Sequence, residues 1–388
     1  MSTSAQRRLF GTDGIRGIAG EAPLDAATVF AAGLAIGHSV PKNGQRKVII
    51  GLDTRESSGW IARTLAAGIC KAGVAVESAG VVPTPAIAFL ARSHGFDAGV
   101  VISASHNPWR DNGIKLFGSD GFKLPDDVEL AIEEEILHHA ATATAPDPAK
   151  VPVVADDSSL RDDYIQFLID AVPALRLEDL RIVVDCANGA AAAVAPMLFQ
   201  RLGGDVSLLN IEPNGRNINE GCGALHPTWV GEEVKKRSAT IGVTFDGDAD
   251  RCMLADANGN VVNGDAILLM AARDLQSRGL LTGNVVVATT MSNMGLEAAL
   301  GPDDARQQAD ADIAGVRRAL DQRAYRLFGD SGCRGLRRRH RRGRGEAHEA
   351  KAEAPSSHHR PPGELTAPIT KLRPARMVPP WPRGPVER

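Results

Sequence analysis

Three carboxylates alternate along a short polar segment of the chain; they are Asp246, Asp248 and Asp250. The segment follows residues 241–245, an apolar run typical of a strand, so the acids would stand at the edge of a sheet. Packed together without a cation, they would cost several kcal/mol in mutual repulsion and desolvation. The pattern therefore predicts a metal site, with a solvated acidic turn as the alternative.

The donor atoms of this segment are carboxylate oxygens, which favour Mg²⁺ or Ca²⁺. A calcium loop of the EF-hand kind would need Gly at its sixth position and Glu at its twelfth. Arg251 and Ala257 occupy those positions, so the calcium-loop interpretation fails. Mg²⁺ fits better, because it takes few carboxylates and completes its coordination with phosphate or water.

A serine follows a second strand-like run. Residues 97–102 lead into the polar turn 103–108, whose sequence is Ser-Ala-Ser-His-Asn-Pro. Ligands of open α/β sheets bind at the carboxyl ends of strands. We therefore predict that Ser105 is a nucleophile that carries a phosphoryl group, and an ordinary turn is the alternative. A phosphoserine adds a charge of about −2, which would give a Mg²⁺ at the acidic segment its anionic ligand.

Basic residues are available to stabilise charge during such a transfer. The glycine-rich turn 11–17 contains Arg16, whose planar guanidinium suits phosphate. A tight turn with a solvated arginine is the alternative there. Lys115 and Arg251 are the cations expected beside the serine and the acids, and a lysine or His106 could move protons.

Strands alternate with helices along most of the chain, which predicts βαβ units and an α/β fold with largely parallel or mixed sheets. The segment 111–117, followed by a Gly-Ser-Asp-Gly turn, predicts a hairpin that places Lys115 beside the strand end with Ser105. Successive βα stretches suggest repeated domains of one architecture. The predicted units are 1–150 with the serine turn, 156–255 with the acidic segment, 256–330, and a tail over 331–388.

The composition is that of a globular protein. Of the 388 residues, 43% are hydrophobic and 23% are charged, and the net charge is −3. The five cysteines form no C-x-x-C pair, which indicates reduced thiols in a cytoplasmic protein. No apolar run reaches the ~18 residues that a membrane span needs, so we expect no membrane partner.

Four motifs together resemble the α-D-phosphohexomutase superfamily, and most closely the bacterial phosphoglucosamine mutases. The matching segments are 8–17, 102–108 with 111–117, 222–227, and 246–251. The resemblance implies successive phosphohexomutase-type α/β domains with mixed sheets. It also implies that Ser105 is a phosphoserine, whose phosphate would bind one Mg²⁺ per chain together with the three aspartates. The residues that would line the catalytic centre are Arg16, Lys115 and Arg251.

The implied reaction interconverts glucosamine 6-phosphate and glucosamine 1-phosphate, a step toward amino-sugar nucleotides. Ser105, phosphorylated for activity, would give its phosphoryl group to the substrate. The bisphosphate would then reorient and return its other phosphate, so that one difficult transfer becomes two. The expected partner is therefore a small hexosamine phosphate. The alternatives are an inactive Mg²⁺-binding remnant and a phosphomannomutase or phosphoglucomutase relative.

The C-terminal part departs from the family pattern. We find neither the sugar loop of a third domain nor the phosphate loop of a fourth, so we expect the fourth domain to be missing and turnover to be strongly impaired. Residues 331–388 are rich in Arg and Pro, which predicts a disordered tail. We interpret residues 301–388 as frame-shifted coding sequence. Seven of the eleven residues 334–344 are arginine, a composition that can bind nucleic acid. Because no folded domain is predicted around them, we do not expect a nucleic-acid partner. We make no prediction of the oligomeric state from the sequence.

Overall fold

The first sheet carries the serine turn. A computed structural model describes residues 8–42, 44–142, 144–173, 175–288 and 292–300, and the backbone of 305–308. The sheet has six strands in the order β1-β2-β6-β5-β3-β4. Their bounds are β1 Phe10–Gly11, β2 Gly14–Ile18, β3 Lys47–Leu52, β4 Ala75–Val81, β5 Ala98–Ile102 and β6 Asp111–Gly118. Strand β3 is parallel to β4 and β5, and the other pairs are antiparallel, so the sheet is mixed, as predicted.

Helices cover both faces of this sheet. Their bounds are α1 Ala26–Ser39, α2 Ser58–Lys71, α3 Thr84–Ser93 and α4 Asp126–Ala140. Helices α1, α2 and α4 share one apolar core with the sheet, and α3 packs on the opposite face. Helices α1 and α2 approach closely because Gly33 has no side chain: a Cβ there would lie 2.1 Å from the Leu65 carbonyl oxygen. Small residues therefore set the thickness of this helical layer.

The second sheet carries the acidic segment and has five strands in the order β11-β10-β9-β7-β8. Its elements are α5 Ser158–Ala171, β7 Arg181–Asp185, α6 Ala195–Arg201, β8 Asp205–Leu209, α7 Pro227–Arg237, β9 Ile241–Phe245, β10 Cys252–Ala255 and β11 Val261–Val262. Strand β7 is parallel to β8 and β9, whereas β9–β10 and β10–β11 are antiparallel. Helix α5 also packs on the first domain, where Phe167 stacks on Phe89 with ring centroids 4.1 Å apart.

A third group of elements follows: α8 Gly264–Ser277, β12 Val285–Ala288, α9 Met294–Leu300 and β13 Ala305–Gln308. Strands β12 and β13 pair in parallel. The predicted tail 331–388 and the part of the predicted third unit beyond residue 308 lie outside the described residues. Over the described ranges, no helix combines the length and apolar character needed to cross a membrane.

The predicted hairpin is present in part, since a turn at residues 118–121 follows β6 and brings Phe117 into an antiparallel bridge with Lys123. Residues 111–118 form one strand, whose antiparallel partner is β5, and the serine turn lies in the connection between them. The Asn-Gly pair does not make a turn, because both residues are needed for packing. Asn112 is fully buried and donates to Ser57 Oγ at 2.8 Å, and a Cβ on Gly113 would lie 2.7 Å from the Ser103 carbonyl oxygen.

Candidate active site

Ser105 lies in the loop between β5 and β6, directly beyond the carboxyl end of β5. Its φ is +54°, a left-handed conformation that is uncommon for residues with a side chain. Its N–H donates to Ser103 Oγ at 2.9 Å. Its carbonyl accepts from Arg55 Nη2 and Asn219 Nδ2, both at 2.9 Å. These contacts hold the turn in one conformation and make Ser105 a fixed, buried residue.

A buried ion pair lies beneath this turn. Arg55 Nε donates to Asp53 Oδ2 at 2.8 Å, and neither side chain has exposed surface. Asp53 Oδ2 also accepts from Ser103 Oγ at 2.7 Å. The guanidinium donates in addition to three carbonyls of the turn, those of Ser105, Asn107 and Pro108. One arginine therefore fixes the backbone path on both sides of His106.

The acidic segment follows β9 and lies against the serine turn. Ser105 Oγ donates to Asp246 Oδ2 at 2.6 Å, which joins the two domains directly. Gly247 permits this approach, since a Cβ there would stand 2.6 Å from the Ser105 carbonyl oxygen. Asp246 and Asp248 are both buried. The structure thus brings together the two segments that the sequence singled out.

Lys115 reaches the same acids from β6. Its Nζ lies 2.8 Å from Asp248 Oδ2 and 3.3 Å from Asp250 Oδ2. It also lies 3.0 Å from Asp13 Oδ2, in the glycine-rich turn. Thr84, the first residue of α3, donates to Asp248 Oδ2 at 2.5 Å. Burial works against the charged amine, but the carboxylates outweigh it and raise the pKa of Lys115 above its usual value.

The carboxylates of the acidic segment crowd one another, with a ligand oxygen from each of the three lying within 4.8 Å of the others. Burial, and then the charge of Asp248, raises the pKa of Asp246 to about 6. Burial also works against ionisation of Asp248, but Lys115 outweighs it and holds that pKa below its usual range. Asp248 Oδ1 is buried and has no hydrogen-bond partner among the described residues. Oxygen donors that repel one another, one of them unsatisfied, fit a divalent cation.

An open cleft lies beside Ser105, with a volume of about 570 Å³. This is within the usual range for small-molecule sites. Its lining residues are Leu9, Gly11, Thr12, Asp13, Gly14, Arg16, Ser105, His106, Asp250 and Arg251. Arg251 Nη2 contacts Ser105 Oγ and His106 Nδ1, and lies 2.9 Å from Asp246 Oδ2. Burial, and then the two arginines of the cleft, lower the pKa of His106. An anionic ligand would therefore meet two guanidinium groups next to the serine.

The predicted site residues thus lie together, and the structure adds others that the sequence analysis missed. Asp53 and Arg55 lie in the connection between β3 and α2, which the sequence analysis did not single out. Thr84 and Asn219 gave no signal, because their partners lie far away along the chain. Asp13 stands in a segment that was singled out for Arg16, with which it pairs at 2.9 Å. The adjacent Gly14 is the sequence feature that could have drawn attention to Asp13 as a site residue.

The chain matches two models of one protein family. Phosphoglucomutase/phosphomannomutase alpha/beta/alpha domain I matches residues 7–143, and domain II of the same family matches residues 162–259. A solved structure of a phosphoglucomutase/phosphomannomutase family protein from Burkholderia thailandensis is similar, with a TM-score of 0.66 and 26% identity. That similarity covers 80% of this chain and 68% of the other.

Curated relatives are similar over a comparable length. The phosphoglucosamine mutase of Koribacter versatilis (strain Ellin345) is 52% identical over 302 residues, which is 76% of this chain and 65% of that protein. The phosphoglucosamine mutase of Anaeromyxobacter dehalogenans (strain 2CP-C) is 48% identical over 309 residues, covering 76% and 67%. The chain therefore spans about two thirds of the length of these relatives. With both site-bearing segments inside the matched domains, the chain belongs to the phosphohexomutase superfamily.

Proposed function

We propose that the chain is a phosphoglucosamine mutase, which interconverts glucosamine 6-phosphate and glucosamine 1-phosphate through a phosphorylated Ser105. The observation that carries the proposal is the contact of Ser105 Oγ with Asp246 and Arg251 at the edge of a cleft. A hydroxyl between a carboxylate and a guanidinium is well placed to exchange a phosphoryl group. The names of the curated relatives support the choice of a hexosamine phosphate.

In the first half-reaction, a sugar hydroxyl oxygen forms a bond to the phosphorus of phosphorylated Ser105, and the bond from phosphorus to Oγ breaks. Oγ leaves with the electron pair of that bond, beside Arg251, whose charge stabilises the leaving oxygen, and it takes up a proton from water to become the serine hydroxyl. The hydroxyl proton is lost to a base of the cleft, the role that we assign to His106. The second half-reaction runs the same steps in reverse on the other phosphate.

The remaining cations position the groups that react. Lys115 neutralises part of the charge on Asp248 and Asp250 from inside the first domain. Arg16 faces the cleft, where a guanidinium can hold a phosphate through two parallel hydrogen bonds. In this arrangement the chain stabilises charge on both sides of the transferred group.

The acidic segment is the proposed metal site. Ser105 Oγ and its phosphate would bind one Mg²⁺ together with the three aspartates, Asp246, Asp248 and Asp250. The orphaned oxygen of Asp248 supports this assignment, as do the burial and the carboxylate repulsion that together raise the pKa of Asp246. When bound, Mg²⁺ would offset the carboxylate charge and polarise the phosphoryl oxygens.

The half-reaction can be tested by intact mass. We expect the full chain, incubated with glucosamine 1,6-bisphosphate and Mg²⁺, to gain the mass of one phosphoryl group, and the Ser105→Ala variant to gain none. A wild-type chain that stays unmodified would contradict the proposal. Ser277→Ala is the serine control, since this exposed residue of α8 donates to the Asp274 carbonyl and lies outside the serine turn and the acidic segment.

Complete turnover needs a separate measurement. A coupled assay that detects glucosamine 1-phosphate, run beside glucose and mannose phosphates, compares the proposed activity with that of the two related mutases. Phosphorylation of Ser105 without turnover on any of these sugars would favour the non-catalytic alternative. The expectation of impaired turnover concerns segments that lie mostly outside the described residues, and it stays a prediction. The predicted bounds of the four units stay predictions as well.

A further inference from the structure

A second cluster of metal-binding side chains lies away from Ser105, on the helices that cover the first sheet. It consists of His38, in the last turn of α1, and of Glu135 and His139, one turn apart on α4. The two helices pack side by side against the same apolar core. Neither helix contributes a residue to the lining of the cleft beside Ser105.

The geometry of this cluster is that of a compact donor set. A ligand atom from each of the three residues lies within 4.8 Å of the other two. Glu135 Oε1 contacts His38 Nδ1 and lies 3.2 Å from His139 Nε2. Ligands about 2.1 Å from a tetrahedral zinc ion are about 3.4 Å apart. The separation of Glu135 Oε1 and His139 Nε2 is close to this value, and the shorter contact with His38 would have to lengthen to admit the ion. The imidazole rings of His38 and His139 are 5.9 Å apart between centroids.

The donor types differ from those of the acidic segment. Two imidazole nitrogens and one carboxylate oxygen suit Zn²⁺, and also Ni²⁺ or Cu²⁺, whereas carboxylates alone suit Mg²⁺. All three side chains are partly exposed, at 47%, 31% and 26%, so solvent can reach the position between them. The cluster with two imidazoles should therefore prefer Zn²⁺ to Mg²⁺.

We propose that His38, Glu135 and His139 bind a Zn²⁺ ion, with water as the remaining ligand. The ion links the end of α1 to α4 and so ties together two helices of the layer that covers the first sheet. Zinc binding requires the neutral imidazoles and the ionised carboxylate, so it competes with protons. The site does not depend on the mutase activity proposed above, since it shares no residue with that centre.

The test is a titration of the full chain with ZnCl₂ in excess MgCl₂, followed by calorimetry. We expect one zinc equivalent with wild type, and binding at least about tenfold weaker in His38→Gln and in His139→Gln. His138→Gln is the matched control, because this neighbouring histidine of α4 is outside the cluster. Zinc should also raise the thermal midpoint of wild type and of the control, since a ligand that binds the folded state stabilises it.

One further variant and one chemical modification distinguish the proposed site from other groups that could bind zinc. Asp248→Asn should leave zinc binding unchanged, because the proposed site does not use the acidic segment. Alkylation of the exposed thiols of Cys70 and Cys252 should also leave it unchanged. Zinc binding that survives both histidine substitutions, or that is lost with His138 or Asp248, would overturn the proposal. So would a wild-type chain that binds no zinc.

Discussion

At the residue scale, the position of Ser105 depends on side chains that do not line the cleft. Arg55 is an example, because its guanidinium pairs with Asp53 and donates hydrogen bonds to three carbonyls of the serine turn. The sequence predicted Ser105 and the three aspartates, since each follows a recognisable strand. It did not predict Arg55, because partners about fifty positions away leave no pattern near the arginine itself.

Arg55→Lys should slow phosphorylation of Ser105 by about 100-fold. An ammonium cannot bind several carbonyls in the fork geometry of a guanidinium, so Ser105 would be displaced from its position. The measurement is the rate of phosphoryl uptake from glucosamine 1,6-bisphosphate, by intact mass. Arg63→Lys, on α2, is the control and should retain the wild-type rate. Equal rates in the two variants would show that Arg55 has no positioning role.

Lys115→Met should affect metal binding and catalysis in opposite directions. Removing a cation 2.8 Å from Asp248 and 3.3 Å from Asp250 leaves the acids more negative, so Mg²⁺ should bind about tenfold tighter, roughly 1.4 kcal/mol. Phosphoryl transfer should fall, because the same charge no longer stabilises the transferred group. Calorimetry and intact mass test the two effects, with Lys236→Met as a surface control. Weaker Mg²⁺ binding in the variant would contradict this prediction.

At the scale of elements, the residues of the proposed site lie at or beyond the ends of strands, and the helices pack against those strands and keep them in position. Helix α4 shows how the N-terminal turn is fixed, since Glu133 accepts from the backbone N–H groups of Arg8, Leu9 and Phe10. The alternation of strands and helices was predictable from hydrophobic periodicity. The role of Asn112 and Gly113 was not, because an Asn-Gly pair signals a turn unless tertiary packing overrides it.

Glu133→Gln should lower the free energy of unfolding by about 1–3 kcal/mol near neutral pH, because the backbone donors lose a charged acceptor. Burial works against ionisation of Glu133, but those donors outweigh it and hold its pKa below the ordinary 4.5. The contribution is therefore complete above that value and is lost as the pH falls through the lowered pKa.

Urea unfolding of wild type and variant at neutral and acidic pH measures this effect. The difference in the free energy of unfolding between wild type and variant should be smaller at acidic pH than at neutral pH. Glu134→Gln, at the exposed neighbouring position, should differ little from wild type at either pH. A difference that is independent of pH would mean that the charge of Glu133 contributes nothing.

At the scale of the whole molecule, the proposed centre lies where two domains meet. Asp246 and Asp248 come from the second sheet, and Ser105, Thr84 and Lys115 come from the first. The family resemblance foresaw two such α/β domains, and both are present. It gave no account of α5, which lies in the predicted unit 156–255 yet packs on the first domain, where its Phe167 stacks on Phe89.

Gly247→Ala should separate the two loops. Its Cβ would stand 2.6 Å from the Ser105 carbonyl oxygen, so the acidic segment must shift, at a cost of about 1–3 kcal/mol, and phosphorylation of Ser105 should fall. Gly264→Ala is the control, because no atom lies within 4 Å of the added carbon there. Thermal unfolding and intact mass measure both effects. A fully active, equally stable Gly247→Ala chain would show that the loops tolerate this displacement.

The hydrogen bond from Ser105 Oγ to Asp246 exists only while the serine hydroxyl carries its hydrogen. Once esterified, the same oxygen has nothing to donate, and the added group brings about two negative charges toward the carboxylate. Any preparation in which only some chains are esterified is then a mixture of two species with different links between their domains. We therefore expect the melting temperature of such a sample to depend on the fraction of its chains in which Ser105 is esterified.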